Sequence, residues 1–216
     1  MVNCKFHESY YWKIYNLISV ERQEYVRRFV KYEDSLRSVL GEALARYAFA
    51  EQFGHNTDIE FTINEYGKPS IKGNDRFNYN ISHSGNWVTC AVSSFDVGID
   101  IEKVDSSVDI EIASKYFTDD EIQEIHRAED KLSTFFHYWT AKESYLKFLG
   151  KGLTIPLDSF FIFGNSVIVN GISLGVRLHF FSKIVGYKIA VCGKYEEDIK
   201  EPVIVSKSKL ISVLRK

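Results

Sequence analysis

Residues 98–102 read Gly-Ile-Asp-Ile-Glu, and residues 139–147 read Trp-Thr-Ala-Lys-Glu-Ser-Tyr-Leu-Lys. The first segment alternates apolar and acidic side chains, which is typical of a strand with one face in the core. Asp100 and Glu102 then share the other face, where two carboxylates repel each other unless a cation or hydrogen-bond donors intervene. Mg²⁺ is one such cation, because it takes one or two protein carboxylates and completes its shell with water and phosphate oxygens. For this segment taken alone, a strand with one solvated face is the simpler explanation.

The second segment lies in a predicted helix over about residues 133–149, which Gly150 ends. Position i+7 of its apolar stripe holds Lys142, whose ammonium must either reach solvent or meet an anion, because burying it unpaired costs several kcal/mol. Glu143 and Lys147 lie beside the stripe at i, i+4. They form either an exposed salt bridge or, with Lys142, part of a pocket for phosphates and a metal ion. The stripe itself is made of Phe135, Trp139, Leu146 and Leu149.

Along the rest of the chain, a helical region followed by several strand-like runs occurs twice. The helical spacing over residues 21–53, with Asp34 or Ser35 as a cap, precedes strand-like runs at 59–63, 78–82, 87–95 and 97–102. Thr118 and Glu121 have the spacing of a capping box, so a second helical region is expected to start at Thr118. Four strand-like runs then follow between residues 160 and 193. The order predicts an α+β protein with two halves, residues 1–104 and 105–216.

Composition excludes several classes of function. The chain has 216 residues, a net charge of -2 and an isoelectric point of about 6.3, so it carries no overall basic signal for nucleic acid or anionic membrane. No apolar run approaches the roughly 20 residues of a membrane helix, and the N-terminal residues lack a signal-peptide pattern. Cys4, Cys90 and Cys192 are far apart, which predicts reduced thiols and no thiolate zinc site. We expect a cytoplasmic protein.

Two further segments offer polar groups that suit a phosphate. Residues 80–85, Asn-Ile-Ser-His-Ser-Gly, bring hydroxyls, an imidazole and turn amides together at a strand end. Ser82 and His83 point to opposite sides of a strand, so they do not form the nucleophile and base of a hydrolase. A structural role for His83 at the strand end is the alternative. Residues 66–69, Tyr-Gly-Lys-Pro, predict a turn that exposes Lys68 to an anion.

Together these segments resemble the Sfp-type 4′-phosphopantetheinyl transferases. That family carries a GxDxE strand followed by a W-[ST]-x-KE-[SA]-x-x-K helix, which residues 98–102 and 139–147 match here. Residues 27–46, 151–160 and 187–193 match other family segments, so the resemblance spans about residues 20–193. It implies a pseudo-twofold pair of α+β halves, each with helix packed on a small, mostly antiparallel sheet and with the active site between them.

The resemblance also implies an activity and a set of site residues. The activity is transfer of the 4′-phosphopantetheine group of coenzyme A to a serine hydroxyl of an apo acyl or peptidyl carrier protein, with Mg²⁺ as cofactor, adenosine 3′,5′-bisphosphate as the other product and a monomeric enzyme. The implied metal ligands are Asp100, Glu102 and Glu143. The implied catalytic residues are Lys142 and Lys147, near the pyrophosphate. The serine hydroxyl needs a base, and Glu143 is the candidate, acting directly or through a metal-bound water. The implied coenzyme A contacts are Arg37, Ser38 and His83 at the 3′-phosphate, and Tyr66, Gly67, Lys68, Pro69 and Ser82 at the adenosine.

Two other classes of function use similar residues. A magnesium-dependent nuclease or phosphohydrolase also clusters carboxylates with lysine, and it acts without a carrier protein. A carrier-binding protein that has lost catalysis would keep the fold. The presence of all three carboxylates and both lysines in this chain argues against such a loss.

Overall fold

The computed structural model describes residues 1–5, 7–54, 59–196 and 198–215. Its α-helices are α1 (Glu8–Tyr15), α2 (Val20–Val26), α3 (Tyr32–Phe53), α4 (Asp119–Arg127), α5 (Lys131–Leu149) and α6 (Lys207–Leu214). Its strands are β1 (Val2–Asn3), β2 (Phe61–Ile63), β3 (Pro69–Ile71), β4 (Asn78–Ser84), β5 (Trp87–Ser93), β6 (Gly98–Lys103), β7 (Phe161–Phe163), β8 (Ser166–Val169), β9 (Ile172–Phe181) and β10 (Tyr187–Lys194). The protein is therefore α+β, as the sequence predicted.

All strand pairs in the described ranges are antiparallel. A three-stranded sheet has the order β1-β5-β4, a five-stranded sheet has the order β6-β10-β9-β8-β7, and β2 pairs with β3. The first sheet packs against α3, and the five-stranded sheet packs against α5. In the register of β6 with β10, Asp100 lies opposite Ala190 and Glu102 lies opposite Lys188. In the strand order of the five-stranded sheet, β6, the strand that carries both carboxylates, lies at one edge.

The structure places two segments outside the halves predicted for them. Strand β6, expected within residues 1–104, pairs with β10 in the five-stranded sheet. Helix α6, expected in the half formed by residues 105–216, packs on α3, where Leu210 and Leu214 join the core around Leu40 and Leu44. Both placements depend on contacts between residues far apart in the chain, which local patterns do not report.

Some helix boundaries follow capping chemistry, whereas the start of α3 has no side-chain cap. The predicted helix over residues 21–53 is two helices, and the N-cap of α3 is Lys31 rather than Asp34 or Ser35. The capping box of Thr118 and Glu121 is present at the start of α4, as predicted. Helix α5 starts at Lys131, where the Asp130 side chain accepts a hydrogen bond from the Ser133 amide.

Helix α5 ends at Gly150, whose φ of 64° is left-handed and therefore favours glycine. No helix in the described part of the chain is both long and apolar enough to cross a bilayer.

Candidate active site

Strand β4 meets β6 through side chains rather than through a backbone ladder. Asn80, Ser82 and Ser84 alternate along β4, so all three point to the same face. The Asn80 side-chain oxygen accepts a hydrogen bond from the amide of Ile99 at 3.0 Å, and the Ser84 hydroxyl accepts one from the amide of Lys103 at 3.1 Å. The three polar side chains therefore dock the smaller sheet against the acidic strand.

Asp100 lies at the centre of a small charged network. Its residue exposure is 2%, and its Oδ1 accepts hydrogen bonds from the Ser82 hydroxyl at 2.8 Å and from the Lys147 ammonium at 2.6 Å. The same ammonium lies 3.0 Å from the Ser82 oxygen. The other carboxylate oxygen, Oδ2, is buried and has no hydrogen-bond partner among the described residues. A buried, unpartnered carboxylate oxygen is costly unless a ligand or ion satisfies it.

The other two carboxylates lie within electrostatic range of Asp100. Burial raises the pKa of Glu102, the charges of Asp100 and Glu143 add to the rise, and the hydrogen bond from the Ser84 hydroxyl opposes it. Burial also raises the pKa of Glu143, with the Lys147 charge opposing and the Asp100 charge adding to the rise. The face of β6 that carries the carboxylates is therefore covered, so the interpretation of a solvated acidic face is wrong.

Gly98 allows α5 to lie directly on β6. A Cβ atom at this position would lie 2.0 Å from the carbonyl oxygen of Ser144 and 2.3 Å from the amide nitrogen of Phe148, both in the backbone of α5. A glycine is therefore required for the observed approach of helix to strand. This approach brings Lys147 to Asp100.

A cavity of about 290 Å³ opens beside this network. Glu143 and Lys147 line one side of it, and the turn formed by residues 66–69, which includes Tyr66, Gly67 and Pro69, lines another. Ser82, by contrast, was expected at the adenosine. Its hydroxyl is instead engaged by Asp100 and Lys147, because Ser82 is buried beneath the charged network.

Lys68 does not project freely from its turn, contrary to expectation. Its ammonium donates to the carbonyl oxygen of Phe148 at 2.7 Å and to Asp96 at 3.0 Å, and its side chain is 14% exposed. The Asn64 amide donates to the carbonyl oxygen of Gly150 at 2.9 Å. The turn is thus fastened to the C-terminal end of α5, where unpaired carbonyls attract a cation.

The residues predicted for the 3′-phosphate lie on β4 and α3. His83 is exposed, on the opposite side of β4 from buried Ser82, as strand alternation predicted. Partial burial of the ring lowers the pKa of His83, and the nearby positive charge of Arg37 lowers it further. Arg37 also donates to the carbonyl oxygen of Gly85 at 3.4 Å. The Ser38 hydroxyl accepts a hydrogen bond from Arg22 at 3.2 Å. Arg37 of α3 and Arg22 of α2 therefore both lie at this part of the protein, where they pair with Asp34 and Glu42 respectively.

Lys142 is the largest departure from the predicted site. Its side chain is completely buried, and its ammonium lies 2.9 Å from Oε2 of Glu121 in α4. The ammonium pairs with an anion, as the position of Lys142 on the apolar stripe predicted, but this anion is the Glu121 carboxylate rather than a phosphate. Lys142 therefore does not line the cavity that holds Glu143 and Lys147.

The donor set suits a hard divalent cation in part. Asp100 offers the unpartnered Oδ2, and Glu102 offers the oxygen that Ser84 does not bind. No group of three His, Cys, Asp or Glu side chains in the described ranges is close enough to hold a metal ion by itself. One or two carboxylates suffice for Mg²⁺ when phosphate oxygens and water complete the shell.

No individual site role was predicted for Asn80, Ser84, Arg22 or Glu121. The signal for Asn80 and Ser84 was present, because polar side chains at every second residue of a strand share one face. The spacing of Thr118 and Glu121 predicted a capping box, but it did not indicate that Glu121 also pairs with Lys142. Arg22 carried no local signal, since its partner Ser38 lies in a different helix.

Comparison with known proteins agrees with this architecture. Residues 96–192 match the 4′-phosphopantetheinyl transferase superfamily, and residues 6–95 match the N-terminal family of 4′-phosphopantetheinyl transferases. The chain is 37% identical over 205 residues to 4′-phosphopantetheinyl transferase Sfp of Bacillus subtilis strain 168, which covers 91% of each protein. It is 43% identical over 148 residues to 4′-phosphopantetheinyl transferase gsp of Aneurinibacillus migulanus, covering 67% of this chain and 61% of that protein.

A more distant relative is 4′-phosphopantetheinyl transferase HetI of Nostoc sp., which is 35% identical over 139 residues and matches 60% of this chain and 54% of its own length. The chain therefore belongs to the 4′-phosphopantetheinyl transferase superfamily. Within that superfamily it is a protein of the Sfp type, as the strand and helix motifs of the sequence indicated.

Proposed function

We propose that this protein transfers the 4′-phosphopantetheine group of coenzyme A to a serine hydroxyl of an apo acyl or peptidyl carrier protein. The observation that carries the proposal is the pairing of Asp100 with Lys147, beside a cavity that Glu143 and the turn at residues 66–69 also line. This arrangement supplies carboxylates for a cation, an ammonium for a phosphate and a recess for a nucleotide.

The proposed coenzyme A site extends from α5 to the edge of α3. The adenosine would lie against the turn at residues 66–69, and the 3′-phosphate would lie between His83 and Arg37. Burial and the Arg37 charge lower the pKa of His83, and a phosphate dianion bound beside the ring would oppose that lowering because its negative charge favours the cationic imidazole. Lys147 would contact the pyrophosphate.

Asp100 and Glu102 are the residues that would hold Mg²⁺. Glu143, the third ligand implied by the family resemblance, does not form with them a group of three that is close enough to hold the ion. When bound, Mg²⁺ neutralises charge on the pyrophosphate and fixes its orientation. The unpartnered Oδ2 of Asp100 supports this assignment. Burial raises the pKa of Glu102, and the negative charges of Asp100 and Glu143 raise it further. A cation bound beside these carboxylates would offset the two negative charges.

The proposed reaction is an in-line displacement at the β-phosphorus of coenzyme A. The serine oxygen forms the new ester bond while the bond to the bridging pyrophosphate oxygen breaks, and adenosine 3′,5′-bisphosphate leaves with that oxygen. Glu143 takes the serine proton, and burial favours this role because a carboxylate with a raised pKa is a stronger base. Lys147 stabilises the charge that develops on the phosphates.

The direct test mixes the protein with apo carrier protein, coenzyme A and Mg²⁺, and then follows the carrier by intact-protein mass spectrometry. The proposal expects one phosphopantetheine group on the carrier serine and adenosine 3′,5′-bisphosphate in solution. Cleavage of coenzyme A without a carrier would identify a phosphohydrolase instead. Carrier binding without any product would identify a non-catalytic relative. The cytoplasmic location and the monomeric state expected from the sequence stay predictions.

A further inference from the structure

Lys142 occupies the middle of α5, immediately before Glu143. Its side chain is completely buried, and each of its three ammonium hydrogens has an acceptor. These acceptors are Oε2 of Glu121 at 2.9 Å and the carbonyl oxygens of Leu157 at 2.8 Å and Phe160 at 2.6 Å. Neither solvent nor the cavity beside Glu143 reaches this ammonium.

The partner carboxylate is equally occupied. Oε1 of Glu121 accepts a hydrogen bond from the amide of Ile162 at 2.9 Å, and Oε2 accepts one from the amide of Thr118 at 3.0 Å. The ion pair thereby joins four pieces of the fold, which are the start of α4, the middle of α5, the segment at residues 157–160, and β7. The charges of this pair are satisfied by the protein alone.

A buried ion pair of this kind is weak evidence for a gain in stability, because the cost of desolvating two charges offsets their attraction. Its geometry is more informative. Three acceptors, one in α4 and two in the segment at residues 157–160, fix both the rotation of α5 about its axis and its position along that axis. Since an α-helix has 3.6 residues per turn, a fixed Lys142 also fixes the directions in which Glu143 and Lys147 point.

We infer that Lys142 and Glu121 form a positioning pair that holds α5 in the rotation at which Glu143 and Lys147 face Asp100. Lys142 does not touch coenzyme A. The inference rests on the proposed function for the roles of Glu143 and Lys147. It differs from the role implied by the family resemblance, which placed the Lys142 ammonium near the pyrophosphate.

The first test compares the variants Lys142→Met, Glu121→Gln and their combination, with Lys131→Met as a matched control on the exposed first residue of α5. The combined variant leaves no buried charge unpaired, so we expect it to fold. Because a misplacement of about 1 Å in a reacting group can cost about 100-fold in rate, we expect its kcat to fall about 100-fold. The dissociation constant for coenzyme A, measured by calorimetry without a carrier, is expected to change little.

The single variants are expected to lower kcat in the same direction, and the combination is expected to be no worse than the more damaging single change, because the two residues share one interaction. A combined variant with the kcat of the wild type would show that the pair only contributes to folding and would overturn the inference. Weaker coenzyme A binding with an unchanged kcat in Lys142→Met would also overturn it, since that result indicates direct contact with the substrate.

A second test uses the unmodified protein and does not depend on how the variants fold. Native protein is treated with an amine-acylating reagent, with and without coenzyme A, and labelled lysines are identified by peptide mass spectrometry. We expect Lys142 to stay unlabelled in both samples, and Lys147, whose side chain is 29% exposed, to be labelled only without coenzyme A. Labelling of Lys142 that coenzyme A prevents would overturn the inference. Equal labelling of Lys147 in both samples would instead contradict the proposed coenzyme A site, so the two failures are distinguishable.

Discussion

The ammonium of Lys147 lies 2.6 Å from Oδ1 of Asp100, which joins helix α5 to strand β6 at the candidate active site. The two residues come from segments separated by α4 and the connection that precedes it. One oxygen of Asp100 is therefore held by the protein, and the other, Oδ2, is buried without a hydrogen-bond partner among the described residues.

Replacing Asp100 with asparagine should remove most activity. The change deletes the negative charge while keeping the size of the side chain, so the protein should stay folded but bind Mg²⁺ poorly. Loss of a preorganised electrostatic group in an active site costs about 100- to 1,000-fold in kcat, and we expect a loss in that range. The measurement is kcat as a function of Mg²⁺ concentration, with circular dichroism to confirm folding.

Asp75→Asn is the matched control, because Asp75 is exposed and lies in a loop before β4. It should leave the dependence on Mg²⁺ unchanged. Full activity of Asp100→Asn at limiting Mg²⁺ would refute the metal assignment.

Gly98→Ala should disturb both stability and catalysis. The added methyl group would collide with the backbone of α5 at Ser144 and Phe148, and a helix backbone cannot yield as a flexible side chain does. Overpacking of this kind typically costs about 1–3 kcal/mol, so we expect a lower denaturant midpoint together with a lower kcat. Gly175→Ala is the control, since a Cβ there meets no described atom within 4 Å. Equal effects of the two substitutions would contradict the close approach of α5 to β6.

His83→Ala should weaken the use of coenzyme A through its 3′-phosphate. A hydrogen bond to a charged group contributes about 1.5–3 kcal/mol, which corresponds to about 10- to 100-fold in kcat/KM. The informative measurement is the ratio of kcat/KM for coenzyme A to that for 3′-dephospho-coenzyme A. The wild type should prefer coenzyme A, and the variant should show a much smaller preference because the shared interaction is already lost. An unchanged ratio with lower stability would make His83 a structural residue.

Lys68→Met should raise the KM for coenzyme A, even though we expect no contact between Lys68 and a phosphate. The substitution removes the charged donor to the carbonyl of Phe148 and so loosens the turn at residues 66–69 from α5. We expect about a tenfold rise in KM that is the same for coenzyme A and 3′-dephospho-coenzyme A, given the strength of a charged hydrogen bond. Lys72→Met is the control, because Lys72 is exposed and pairs only with Glu60 among the contacts described for it in the structure. A selective loss of coenzyme A over its dephospho form would show that Lys68 binds the 3′-phosphate directly.

Much of the secondary structure could be predicted from the sequence because it depends on interactions between residues that are close together in the chain. The capping box at Thr118, the stop at Gly150 and the strand at residues 98–102 each depend on neighbours close along the chain. All three are present in the structure, although the strand is covered on both faces rather than on one. The alternation of side chains along a strand also predicted that Ser82 and His83 lie on opposite sides of β4. Motif spacing then identified the family, because the acidic strand and the lysine-bearing helix occur in one order at one separation.

Local sequence patterns thus predicted α4, α5 and most of the strands, together with the family and the carboxylates of the candidate site, whereas contacts between distant segments decide what each lysine does. Helix α5 is covered on several sides, by β6, by β10 and by α4. A helical stripe therefore could not show whether Lys142 or Lys147 faces the cavity. The acceptors of Lys142 and Lys68 are mostly backbone carbonyls, which every residue carries and which leave no mark in the sequence. The placement of β6 and α6 likewise depended on partners far along the chain, because burial of apolar surface is settled only when distant segments meet.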